Sequence, residues 1–294
     1  MSSTVATVRQ FNRAWTQRVG ALDESFLGSG RPLGPSRLLF EIGSTPGGAV
    51  VRTLRDRLGL DSGYLSRLLR RLEDEGLVTT RADPVDARRR VVRLTGSGQE
   101  SWAELEQRSE ALARDLVAPL TDRQRERLED ALATAGLLVR AATIDLSPAD
   151  PGSPAAREAI AAYFAEIDAR FDFGFDAADL MADDARTLRG PGGLFLLARS
   201  EGRAVACGGL RDLGDGYAEV KRMWVSDEWR GAGLGGRLLR TLEDRARDLG
   251  HQTLRLDTNG VLVEAIAMYD RAGYRRIGRY NDNPYAQVWF EKEL

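Results

Sequence analysis

The chain has very little of several reactive residue types. Its 294 residues hold one cysteine, Cys207, and one histidine, His251. One cysteine excludes an internal disulfide, and one histidine leaves no plausible His/Cys cluster for a metal, so no metal site is expected. Lysine is nearly missing too: of 42 lysines and arginines only Lys221 and Lys292 are lysine. No apolar run approaches the roughly 18 to 20 residues of a membrane span. The opening MSSTVATVRQF lacks the apolar centre of a signal peptide, and a soluble protein of the reducing cytoplasm is expected. Strong net charge is also absent, the formal value being −2. Residues 1–140 carry twenty-two basic against nineteen acidic side chains, a mild excess that matters only if it is locally concentrated.

The length exceeds one usual domain of about 100 to 200 residues. The clearest compositional break is LSPADPGSPAA, Leu146 to Ala156, which reads as a linker. Three segments are therefore expected: 1–142, a linker at 143–156, and 157–294. The first is helix-rich with one hairpin; in the second domain strands alternate with helices. Cys207, in AVACGGL, fits a buried strand. His251, just past the helix ending at Gly250, fits a C-terminal cap.

From Val50 to Thr95 the order is helix, turn, helix, then two strands around a basic turn. Gly59 stops the first helix, and Asp61 or Ser62 caps the second. On that second helix Leu65, Leu68, Leu69 and Leu72 form an i, i+3, i+4, i+7 stripe. The opposite face then carries Gly63, Ser66, Arg67 and Arg70, with Ser62 and Tyr64 near the helix start. Arginine can bond guanine edges in pairs, and hydroxyls suit phosphates or bases. Arg88, Arg89 and Arg90 fall near the tip of the hairpin, where a minor groove or phosphates would be reached. A solvated helix face is the plain alternative, and the wing spacing favours duplex DNA.

In the other half, the alternating strand YAEVKRMWV leads to Arg230-Gly231-Ala232-Gly233-Leu234-Gly235-Gly236 and an amphipathic helix with apolar residues at 234, 238, 239, 242, 246 and 249. Glycines there allow a tight turn that brings several N–H groups and a helix dipole against a pyrophosphate, with Arg230 adding positive charge.

These residues carry two resemblances. Leu60 to Arg67, Leu72 to Val78, Asp86 to Arg88 and Val91 to Thr95 resemble the MarR family of winged-helix regulators. That resemblance implies a homodimer on a pseudo-palindromic operator. It also implies Arg88 on DNA, Asp86 orienting the wing arginines, and dimer helices before Ser29 and from Ser97 to Leu138; those apolar stripes could instead pack within one chain. Arg230 to Gly235, Leu256-Asp257-Thr258-Asn259 and Glu264 to Tyr274 resemble the GNAT family of N-acyltransferases. The expected architecture is thus a mainly α winged helix-turn-helix domain followed by an α/β (α+β) domain with a mixed, mostly antiparallel sheet.

The second resemblance implies acetyl-CoA, with its pyrophosphate on amides from Gly231 to Gly236 and pantetheine beside Met223, Trp224 and Val225. Amine acylation needs a neutral amine, a polarised thioester carbonyl and an acid for the departing thiolate. Glu219 is the candidate base, an N–H near Val225 the candidate carbonyl donor, and Tyr269 the candidate acid. Glu219 could equally just pair with Lys221, and Tyr269 shares an apolar stripe with Leu262, Ala265 and Ile266. Leu262 stands where many family members place a cofactor-contacting asparagine, and Asn259 is the substitute considered. Aromatic, acidic segments at 170–176 and 280–285 are candidate borders of an amine site. The expected whole is a DNA-binding regulator that also acetylates an amine; the alternative is a regulator that senses acyl-CoA without catalysis.

Overall fold

The computed structural model describes residues 3–83, 86–170, 186–200 and 202–294. Two compact units are formed, Met1–Glu126 and Arg127–Leu294.

In the first unit, α1 (Ser3–Arg18) is followed by α2 (Leu33–Gly43), β1 (Ala49–Val50), α3 (Val51–Leu58), α4 (Ser62–Asp74), β2 (Val78–Ala82), β3 (Arg90–Leu94) and α5 (Gly96–Val117). Gly59 takes the left-handed conformation (φ 63°) that ends α3, and Asp61, not Ser62, caps α4 by accepting the N–H of Tyr64 at 2.8 Å. The leucine stripe 65, 68, 69 and 72 is buried against Leu38, Leu39 and Leu54. The hairpin gains a third strand beyond the two expected: β1 pairs with β3, giving the order β1-β3-β2. Helix α1 has no buried residue, and its apolar side chains Val5, Val8, Phe11 and Trp15 are exposed.

Helix α6 (Asp122–Thr143) begins in the first unit and continues into the second. There follow β4 (Leu146–Pro148), α7 (Pro154–Arg170), β5 (Leu194–Ser200), β6 (Arg203–Gly214), β7 (Tyr217–Val225), α8 (Leu234–Asp248), β8 (Thr253–Thr258), α9 (Val263–Arg271), β9 (Arg275–Ile277) and β10 (Val288–Glu293). The sheet order is β4-β5-β6-β7-β8-β10-β9, every neighbouring pair antiparallel except β7 with β8. Helix α8 buries Leu234, Leu238, Leu239, Leu242 and Ala246 as its spacing requires, whereas Leu249 lies beyond the helix and is exposed. Cys207 is fully buried on β6. His251 follows Gly250, its N–H closing back on the Ala246 carbonyl at 3.0 Å.

The proline-rich segment is not the linker that its composition suggested. Leu146–Pro148 forms an edge strand against Leu196–Ala198, and α7 already starts at Pro154. Pro148 and Pro154 sit where a missing N–H costs little, at a sheet edge and in a helical first turn. The division between units falls inside α6 instead.

Gly98 supplies a test of the first unit. It lies in the first turn of α5, its N–H bonded to the capping Thr95 hydroxyl, and a Cβ there would overlap the carbonyl oxygen of Leu77. Gly98→Ala should destabilise this unit by about 1–3 kcal/mol, as overpacking does. Thermal denaturation checks this, and an unchanged midpoint would show that the start of α5 shifts freely.

Candidate active site and nucleic-acid interface

The second unit is organised by a parallel strand pair that stops early. β7 pairs with β8 only through Tyr217–Thr253, Ala218–Leu254 and Glu219–Arg255, although β7 runs on to Val225. Past Glu219 the two strands part. Backbone groups of β7 that would have met β8 are left for an extended ligand, as a strand edge always offers them.

The outer part of β7 is also bulged. Cys207 faces Trp224 and Gly209 faces Lys221, so β7 has one residue more than β6 between these pairs. Arg222 takes up the irregularity with φ 56°, uncommon for a side-chain-bearing residue. Its carbonyl accepts the Cys207 thiol at 3.4 Å and its guanidinium lies 4.7 Å from the Phe164 ring centre. Met223 and Trp224 turn their side chains into two different apolar clusters. Backbone, more than side chain, is therefore what this stretch can present in the gap.

The glycine loop follows a one-turn 3-10 helix, Asp227–Trp229. Gly231 and Gly233 both have φ 77° with open space where a Cβ would stand, so conformation alone requires glycine there. Gly235 has another reason: its Cβ would meet Met268 Sδ at 3.3 Å and Val225 Cγ2 at 3.7 Å, so the residue lets α8 approach β7 and α9 closely. Gly236 has neither constraint, which corrects the steric need expected for it. Arg237 N–H makes the bond to Gly233 O at 3.0 Å, and the amides of Leu234, Gly235 and Gly236 stand ahead of it at the positive end of the helix. Open left-handed glycines and helix-start amides fit a pyrophosphate.

Two of the expected coenzyme contacts have partners within the chain. Arg230 donates to Val225 O at 3.1 Å and pairs with Asp227 at 2.5 Å and with Glu166. It braces the loop, and its charge is already matched by two carboxylates. Asn259 is buried, its amide donating to Tyr285 O at 2.8 Å and its oxygen accepting from Val261 N at 3.0 Å. A side chain so engaged ties two loops together.

Glu219 is fully buried where the strands part. It pairs with Arg211 at 2.5 Å and Lys221 at 3.2 Å, and accepts from Tyr280 Oη at 2.7 Å and Asn281 Nδ2 at 3.0 Å. Lys221 also reaches Asp257 at 3.2 Å, and Asp257 accepts from Asn281 and Asn283. The Lys221 pairing was one of the two sequence expectations, but on a buried network and not an exposed face. Within 280–285, Tyr280, Asn281 and Asn283 belong to this network, and burial followed by the Glu219 charge pushes the Tyr280 phenol far up. Of the other candidate amine-site segment, Arg170 ends α7 and pairs with Glu166 at 2.9 Å; 171–176 lie outside the described residues.

Tyr269 is buried on α9, with ring centres 5.9 Å from Tyr274 and 5.7 Å from Phe290. Burial, with Tyr163 and Asp257 adding to it, pushes its phenol well above the usual tyrosine range. Sequence reasoning missed Asp257 as a network member and Glu166, which holds Trp224 Nε1 at 3.0 Å as well as Arg230 and Arg170. No spacing rule connects Glu166 with Trp224 and Arg230, because these partners are 58 and 64 residues away.

In the first unit, Ser62, Tyr64, Ser66, Arg67 and Arg70 are exposed on α4, as are Arg88 and Arg89 in the turn before β3 and Arg90 at the start of β3. Ser66 Oγ is turned back to Ser62 O at 2.7 Å, and the Arg67 guanidinium lies 5.6 Å from the Tyr64 ring centre. Asp86 accepts the backbone N–H of Arg88 at 3.0 Å, so it shapes the wing turn through main chain.

Comparison with known proteins matches these two halves separately. The model of the acetyltransferase (GNAT) family covers residues 159–274 and that of the MarR family residues 29–89. An IAA acetyltransferase of Azospirillum brasilense is 39% identical over 115 residues, 38% of this chain and 74% of the relative. An HTH-type transcriptional regulator of Bacillus subtilis is 32% identical over 80 residues, 27% of this chain and 49% of that protein. A putative acyl-CoA N-acyltransferase structure from Klebsiella pneumoniae has 31% identity and TM-score 0.43, spanning 52% of this chain and 99% of its own. The chain belongs to the GNAT family of acetyltransferases, and residues 29–89, ahead of that domain, match the MarR family model.

Proposed function

We propose that this acetyltransferase moves an acetyl group from acetyl-CoA to an amine by direct attack, and that its N-terminal half binds duplex DNA as a homodimer in the cytoplasm. The observation that carries the first part is the early end of the β7–β8 pairing beside the helix-start amides of α8. Acetyl-CoA supplies an activated acyl group on a good leaving thiolate. In this reading the amides from Gly231 to Gly236 hold its pyrophosphate, and the free side of β7 at 223–225 pairs with its pantetheine amides. An N–H near Val225 polarises the carbonyl. Arg230 and Asn259 shape the loops around it.

Tyr269 is assigned to the departing thiolate. Its raised phenol remains protonated throughout the neutral range, yet is a much weaker acid than a thiol of about 8.5. It therefore acts chiefly as a hydrogen-bond donor that stabilises the thiolate. Glu219 is assigned a supporting role in place of direct proton removal, because it is fully buried and holds two cations. That burial is also the one observation that favours the alternative, an acyl-CoA sensor without turnover. Thiol release from acetyl-CoA across amines, amino acids, aminoglycosides and lysine peptides separates the two readings and identifies the acceptor class.

With an acceptor in hand, Tyr269→Phe should lower kcat by about 10²-fold or more while acetyl-CoA affinity stays within a few-fold. Because burial moves the phenol's titration upward, its protonated form is the one present at neutral pH and above. The rate should accordingly show no loss from this group up to about pH 10. A full-rate phenylalanine variant would remove Tyr269 from the chemistry.

Glu219→Leu leaves Arg211 without its buried counter-charge and Lys221 with Asp257 alone, and should cost about 3–5 kcal/mol of stability. Denaturant unfolding of the variant measures this, and a loss of activity at unchanged stability would instead point to direct catalysis.

For the DNA half, Arg67→Ala and Arg88→Ala should each weaken binding to a duplex selected from a random pool by about 1–3 kcal/mol without altering the melting curve. Fluorescence anisotropy reads the affinity. Unaltered binding in both variants would leave the winged helix as a dimerisation element alone.

A further inference from the structure

The last turn of α6 is built into the core that supports the glycine loop. Ala141 and Ile144 are buried there with Trp229, Leu234 and Leu238. The Arg140 guanidinium lies 5.2 Å from the Trp229 ring centre, and Trp229 immediately precedes Arg230 and Gly231. On the far side of the loop, Arg237 Nη1 donates to Ala141 O at 2.8 Å and Ala142 O at 3.3 Å. These are carbonyls at the negative end of α6, which lack helical partners and favour a cation. Both flanks of residues 230–236 are thus fastened to one turn of one helix.

We propose that occupancy of the 230–236 loop is passed to α6 through Arg140 and Arg237, so that acyl-CoA is also an effector of the DNA-binding half. This rests on the reading above that the loop takes the coenzyme pyrophosphate. Gly231 and Gly233 sit in open space with left-handed backbone, so an anion held on the neighbouring amides adds a restraint to a loop that Arg230 anchors at one end. Restricting it holds Trp229 under Arg140 and Arg237 on the α6 carbonyls, which stabilises the end of that helix. α6 is continuous through Glu126, where the chain passes from one compact unit to the other. Its length also contains part of the stretch that the MarR resemblance assigns to dimerisation. A ligand that alters α6 alters whatever α6 supports, and by linkage DNA alters coenzyme affinity by the same factor.

Hydrogen–deuterium exchange on the full chain with and without coenzyme A tests the step directly. Slower exchange is expected both at 230–237 and at 138–143. Protection of the loop with 138–143 unchanged would overturn the coupling while leaving the coenzyme reading intact; protection of neither would remove that reading and the coupling with it. The functional consequence is read on the duplex selected from a random pool. Saturating coenzyme A should change its affinity by about five-fold or more. Arg140→Ala should reduce that change and Arg140→Lys, which keeps a cation over Trp229, should restore part of it. Equal duplex affinity with and without coenzyme A in the unaltered protein, or an unaltered response in Arg140→Ala, would overturn the proposal.

Discussion

The parting of β7 from β8 beyond Glu219 is the constraint on which the acetyltransferase half depends. A parallel pair needs a long crossover, and here that crossover is the glycine loop and α8. The same divergence that frees the edge of β7 therefore lies beside the helix start that carries unpaired amides. Keeping two adjacent strands apart requires something stable between them. Glu219, Lys221 and Asp257, with Tyr280, Asn281 and Asn283 from a later loop, supply a buried network of alternating charge. Each charge has an opposite neighbour, which is the condition under which burial is tolerated.

Around this gap the supporting contacts have distinct tasks. Glu166 on α7 fixes Trp224 and Arg230, one on the strand and one on the loop. Gly235 permits α8 to close on Val225 and Met268. Tyr269, packed against Tyr274 and Phe290, is held by aromatic contacts that leave few alternatives for its hydroxyl. In the winged-helix half the scaffold is apolar: the α4 leucine stripe is anchored in the core, and its polar face is left outward. A rigid buried stripe fixes the azimuth of the helix, and thereby which arginines reach outward.

Much of this was legible because it depends on local pattern. The 3.6-residue stripe of α4, the stop at Gly59, the alternation of β7 and the buried face of α8 all follow from neighbouring residues. So does the turn that places Arg88 to Arg90 outward. Local pattern misled where composition stood in for context. Pro148 and Pro154 looked like a linker, but each occupies a place in a sheet edge or helical first turn where its missing N–H is harmless. Local pattern was also silent on the carboxylates that engage Arg230, which include one on a distant helix.

What the sequence by itself determined is the helix-turn-helix with its hairpin, the strand, glycine loop and helix of the GNAT domain, and the positions where glycine, leucine and arginine must stand, since each depends on backbone conformation or periodicity within a few residues. Tertiary structure decided the long-range partners of the polar and charged groups. Glu219 became the centre of a network, Asn259 a tie between loops, and Arg237 a cap for the end of α6, because each meets groups 26 to 96 residues away. A charge has no intrinsic direction along the chain, and only folding determines which opposite charge or carbonyl lies within its reach.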